Sequence, residues 1–121
     1  MRTLTRSAVA AAAVALLLLM PSGAAAQQPD GFPSYKKCGA FKAGGLRIWV
    51  SADRIGCGKA RRIQREYWLG RRKDKIIVNG GSGYAGYIKL KKYKGWRCTS
   101  GAGAGRCAKG KAVAAYENEA W

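Results

Sequence analysis

The spacing of apolar positions changes several times along the chain, and each change marks an element. Ala8–Met20 is an unbroken apolar run of 13 residues. Arg2 and Arg6 precede it, and Pro21-Ser22-Gly23 and Ala24-Ala25-Ala26 follow. A positive start, a short apolar middle and a small-residue end make up a secretory signal peptide, and the run is shorter than the roughly 20 residues of a membrane span. Cleavage is expected near Ala26, so residues 1–26 are the signal. Residues 27–45, with Pro29 and Pro33, read as an irregular lead-in, and 46–121 as a single small domain. Leu46–Ala52 alternates, predicting a strand with Leu46, Ile48, Val50 and Ala52 inward and Trp49 beside Arg47 on the other face. The period then lengthens. Cys57, Ala60, Ile63 and Tyr67 recur at three- and four-residue steps, predicting a helix over Cys57–Leu69 with Lys59, Arg61, Arg62 and Arg65 outward. Asp53 precedes its positive end, and Gly70 closes it in the glycine-favoured C-terminal position. Ile76–Val78 predicts a short strand, Asn79–Gly83 a turn, and Tyr87–Lys91 a strand with Ile88 and Leu90 inward. Gly95–Cys98 and Ala112–Tyr116 complete an antiparallel ribbon. The fold class is α+β, one helix packed on a small antiparallel sheet.

Cys38, Cys57, Cys98 and Cys107 all lie beyond the signal and are separated by 18, 40 and 8 residues. In a small exported domain this count reads as two disulfides, and the missing C-x-x-C knuckle argues against zinc. Of the three possible pairings, loop geometry favours Cys38–Cys57 with Cys98–Cys107. Thr99–Arg106 is a soft hairpin loop whose ends face each other, and the bend Ala43-Gly44-Gly45 folds Cys38 back towards Cys57. Cys38 is also too far from the apolar run to carry a lipid anchor.

Charge narrows the function further. The 121 residues carry 23 Lys+Arg, 6 Asp+Glu and no His, a net +17. Loss of Arg2 and Arg6 with the signal leaves 21 cations against 6 acids, or +15. Without histidine, the commonest general base and metal ligand is missing. The pattern Gly81-x-Gly83-x-x-Gly86 matches a dinucleotide fingerprint, but a strand pattern follows where a helix is required, so no cofactor is expected. A glycosidase needs two carboxylates across a cleft. Glu66, flanked by Arg62 and Arg65 and spaced to pair with Arg62, reads as charge balance, and no enzyme is expected.

The spacing Val50-x-Ala52, Cys57, Ala60, Ile63, Gly95-Trp96-x-Cys98 and Cys107 resembles a group of small secreted, four-cysteine proteins of high-GC Gram-positive bacteria. The resemblance spans roughly residues 46–116. It implies the fold type and the disulfides and brings no activity with it. The long basic, Gly-rich segment Arg71–Lys94 departs from that group.

Basic and aromatic residues interleave from Tyr67 and Trp68 through Tyr84, Tyr87, Tyr93, Trp96 and Arg97. Cations release counterions from a polyanion while rings stack on its units. The residues expected to bind are Arg61 and Arg65 on the helix, Arg71, Arg72, Lys73 and Lys75 in the connector, and Lys89, Lys91, Lys92 and Lys94. Lys89 and Lys91 share a strand face, while Lys92 and Lys94 fall at a turn. The expected partners are acidic polymers: a cell-envelope polyanion, acidic polysaccharide or extracellular nucleic acid. A protein partner anchored on Trp49, Trp68 or Trp96 is the alternative, ahead of a cationic membrane-active toxin or a small hydrolase.

Overall fold

Two strands, β1 (Lys36–Ala43) and β2 (Leu46–Asp53), form a hairpin that leads into helix α1 (Cys57–Leu69). A single 3-10 turn, Arg72–Asp74, follows, and then β3 (Lys75–Val78), β4 (Tyr87–Leu90), β5 (Arg97–Ser100), β6 (Ala104–Lys109) and β7 (Ala112–Ala120). The computed structural model describes residues 26–80 and 86–120. The signal peptide up to residue 25, the first two glycines of the fingerprint and Tyr84 lie outside the described residues. The strands form one antiparallel sheet in the order β1-β2-β7-β6-β5-β4-β3, with the helix on one face. The α+β expectation therefore holds.

Strand alternation builds the core. Val50 stands opposite Tyr116, Ala52 opposite Ala114, Ala114 opposite Cys107, and Cys107 opposite Cys98. The row Ala52–Ala114–Cys107–Cys98 thus crosses the sheet from β2 to β5, and Val50–Tyr116 lies in the next row on the same face. Ala60, Ile63 and Gln64 of α1 are buried, and the helix packs on β1, β2 and β7. Both expected disulfides are present. Cys98–Cys107 bridges directly opposed residues of β5 and β6, with Cα atoms 3.9 Å apart, and Cys38–Cys57 ties β1 to the start of α1 at 5.3 Å.

The irregular lead-in is corrected. Its second half is β1, in which Cys38, Phe41 and Ala43 are buried. The step of three between Cys38 and Phe41 hides the strand period. Its cause is a register shift between Lys37 and Ala40, centred on Gly39 at φ +83°. Gln28 serves this bulge from outside: its Oε1 accepts from Gly39 N–H at 3.1 Å, and its Nε2 donates to Val50 C=O at 2.8 Å. Glu117 Oε1 accepts from Gly31 N–H at 3.0 Å, so the lead-in lies across the sheet face opposite the helix. Trp49 and Ser51 are consequently buried although they point away from α1.

Other boundaries also shift. The hairpin after Cys98 is tighter than a soft eight-residue loop, because its turn closes with Gly101 N–H donating to Ala104 C=O at 2.8 Å. Strand β7 runs four residues beyond Tyr116, to Ala120. Asp53 sits in β2 opposite Val113, and the residue that precedes α1 is the extended Gly56, which offers no side-chain cap, with no acid in the first turn. Gly70 is extended, not left-handed, at φ −70°. Glycine is required there for close approach, since a Cβ would lie 2.4 Å from Glu66 C=O.

Candidate basic binding surface

The ten expected binding residues divide into four groups. Two are absorbed by the fold. Arg61 donates to Cys38 C=O at 2.8 Å, and Lys75 Nζ donates to Tyr67 C=O at 2.7 Å, each securing α1 to a neighbouring strand. Both are half-buried.

A second group meets at the C-terminal end of α1. Arg65 and Arg71 line a cleft of about 350 Å³ with Lys92 and Tyr93. Arg62, not among the expected residues, stands there too, one helical turn from Arg65 and Glu66. Helix, connector and the turn after β4 thereby place four cations around one concavity. Lys92 Nζ lies 3.6 Å from Asp74 Oδ2, so part of its charge is answered within the chain. Arg65 also has its guanidinium carbon 5.3 Å from the centroid of the Phe41 ring. The expected Arg62–Glu66 pair does not form. Glu66 curls towards Gly70, and its Oε2 is buried without a hydrogen-bond partner among the described residues.

The third group lies on the β3–β4 side. Lys89, Lys91 and Lys94 surround a mainly apolar cleft of about 330 Å³ with Ile76 and Leu90. Arg72 and Lys73 are exposed on the 3-10 turn and line none of these clefts.

Arg97 and Arg106 extend the surface on the face opposite α1. Lys89 stands opposite Arg97, and Thr99 opposite Arg106, so the three cations share that face. Arg97 lies 5.0 Å from the Tyr87 ring centroid, and Arg106 borders a hollow of about 380 Å³ with Phe32 and Thr99. The signal for Arg97 and Arg106 was available: each adjoins an inward cysteine, so alternation sends it outward. Gln64 was missed for a different reason. A polar residue one step from the stripe reads as outward, yet its Nε2 donates to Ala114 C=O at 2.7 Å from inside the core.

The aromatic expectations change most. Trp96 and Trp49 are buried, 3% and 9% exposed, and Trp49 Nε1 donates to Glu119 Oε1 at 2.8 Å. Neither can anchor a protein partner. Trp68 packs edge-on against Tyr116 at 5.1 Å, and Tyr67 lies 6.0 Å from the same ring. Burial, reinforced by neighbouring Tyr67, pushes the Tyr116 hydroxyl above its ordinary value, while a hydrogen bond with Ser100 opposes the shift. Tyr93 and Tyr87 are the half-buried rings that remain beside cations.

Among the described residues, no helix is long and apolar enough to cross a membrane, and no three metal-ligating side chains gather. All four cysteines are taken up in disulfides. Comparison with protein-family models, curated proteins and solved structures finds no match.

Proposed function

We propose that the chain is an exported, basic binding protein that contacts acidic polymers outside the cell and acts by charge neutralisation rather than catalysis. The observation that carries this reading is the cleft at the end of α1. Arg62, Arg65 and Arg71 converge there from two chain segments, and none has a carboxylate partner among the described residues. Converging cations repel one another, so a bound anion relieves repulsion and adds attraction in one step. Lys89, Lys91, Lys94, Arg97 and Arg106 extend the positive surface beyond a single anion, which suits a chain of repeating charges. The signal sequence and the disulfides favour an oxidising compartment. Resemblance to small secreted four-cysteine proteins points the same way. The test is titration of the oxidised protein with labelled duplex DNA, heparin and polyphosphate over a range of salt. Log affinity should fall linearly with log salt, and a salt-independent isotherm would refute the proposal.

A further inference from the structure

We propose that the outer edge of β3 is a docking groove for an extended peptide in which apolar and acidic residues alternate. β3 and β1 are the two edge strands of the sheet. Edges invite pairing, and β1 is guarded by its bulge, by exposed Lys36 and Lys37 and by its disulfide to α1. β3 pairs regularly with β4, its lysine is folded back onto Tyr67, and it leaves Ile76 45% and Ile77 56% exposed.

The phase of the β3–β4 ladder fixes which backbone groups are free. Lys91 N–H donates to Asp74 C=O at 2.9 Å, one step outside the Lys75–Leu90 pair. Ile76 and Lys89 are then the pair that exchanges hydrogen bonds, and Ile77 and Ile88 the pair that does not. The Ile77 N–H and C=O therefore point away from β4, where an added strand can take them.

The two sides of this edge differ in chemistry. Ile77 lies on the helix side with Tyr67 and Ile88, around a cleft of about 170 Å³. Ile76 lies on the opposite side, in the cleft with Lys89, Lys91 and Lys94. A strand laid on the edge sends alternate side chains to these two sides, apolar ones onto Tyr67 and Ile77 and carboxylates towards the lysines. A second copy fits this edge poorly, because without the signal it brings the same net charge of +15. This inference goes beyond the polymer reading, since it depends on the order of residues in the ligand and not on its charge alone.

The test compares a labelled peptide of alternating valine and glutamate with one of the same composition in two blocks. The alternating peptide should bind the oxidised protein at least about tenfold more tightly and slow hydrogen exchange at the Ile77 amide. Ile77→Lys should weaken it by about tenfold or more, whereas Arg62→Gln/Arg65→Gln/Arg71→Gln should leave it unchanged while weakening polymer binding. Equal binding of both peptides, or unchanged exchange at Ile77, would overturn the proposal. So would self-association of the peptide-free protein that Ile77→Lys abolishes, since the groove would then belong to a second copy.

Discussion

Replacing Arg62, Arg65 and Arg71 together by glutamine removes three converging charges and keeps most of each stem, so the change is electrostatic rather than steric. A cation that neutralises a phosphate contributes about 0.9 to the slope of log affinity against log salt on duplex DNA, and about 0.7 on single strands. Three such contacts account for a slope of roughly 2.7 or 2.1. Between about 50 and 200 mM salt, a contribution of 2.7 corresponds to roughly a fortyfold fall in affinity that the variant should no longer show. Lys92 is left in place because Asp74 already answers part of its charge. The paired control is Arg61→Gln with Lys75→Gln. It removes two cations whose donors are engaged with the Cys38 and Tyr67 carbonyls. Its slope should barely move, while stability falls by about 1 kcal/mol per lost hydrogen bond. Fluorescence anisotropy at several salt concentrations reads the slopes, and urea unfolding reads the stabilities. If the control lowered the slope as much per cation as the cleft variant, positive charge would be acting diffusely and no site would exist.

Three further outcomes follow from packing. Replacing either cysteine pair by alanine should cost about 3 kcal/mol from loop entropy, with sequence separation 19 slightly favouring Cys38–Cys57 over separation 9. Cys98 and Cys107 are both fully buried, so the cavity left there should reverse that order in urea midpoints. Gln64→Ala should lose about 2 kcal/mol, from the Ala114 hydrogen bond and the space vacated beneath α1, and a loss under about 0.5 kcal/mol would show the amide to be idle. Because the folded state raises the Tyr116 hydroxyl, its contribution is complete below about pH 10 and is lost as pH rises through the unfolded and then the folded value. Urea midpoints from pH 8 to 11 should therefore fall more steeply for the natural chain than for Tyr116→Phe, in which that ionisation is absent.

The legible parts of this fold are those where one period runs uninterrupted. α1 begins and ends where its stripe does, and the alternation of Ile48, Val50 and Ala52 marks the inner face of β2. β1 was illegible because Gly39 resets the phase between Cys38 and Phe41, so neither a period of two nor one of 3.6 fits. The burial of Trp49 was hidden for a longer-range reason: residues 26–35 lie over that face, with the Gln28 side chain bonded to β2 and to the β1 bulge and the Gly31 backbone N–H donating to Glu117 of β7. For the binding surface, sequence identified the cationic segments but not their partition. Arg61 and Lys75 look like their neighbours until the fold supplies carbonyls within reach, and Arg62 enters the cleft only because the chain turns at Gly70.

The placement of the six acids explains why cations gather where they do. Asp30 pairs with Lys37, Glu119 with Arg47 and Trp49, and Glu117 with the Gly31 amide, so three acids serve the β1–β2–β7 end. Asp53 closes β2 at the same end of the sheet order. Only Glu66 and Asp74 remain near the far side of α1 and the β3–β4 hairpin, where Arg62, Arg65, Arg71, Arg72, Lys73, Lys89, Lys91, Lys92 and Lys94 lie. The chain is thus electrically lopsided as well as basic, and a lopsided charge orients an approaching anion before contact. Solubility alone would be served by cations spread evenly over the surface. Concentrating them around β3, β4 and the end of α1 raises mutual repulsion in the folded state, a cost that the Cys98–Cys107 bridge in the same half of the sheet helps to offset. Moving one acid tests the coupling: Glu119→Gln should leave polymer binding unchanged, whereas Leu69→Glu, at an exposed position on the rim of the cleft, should weaken it several-fold.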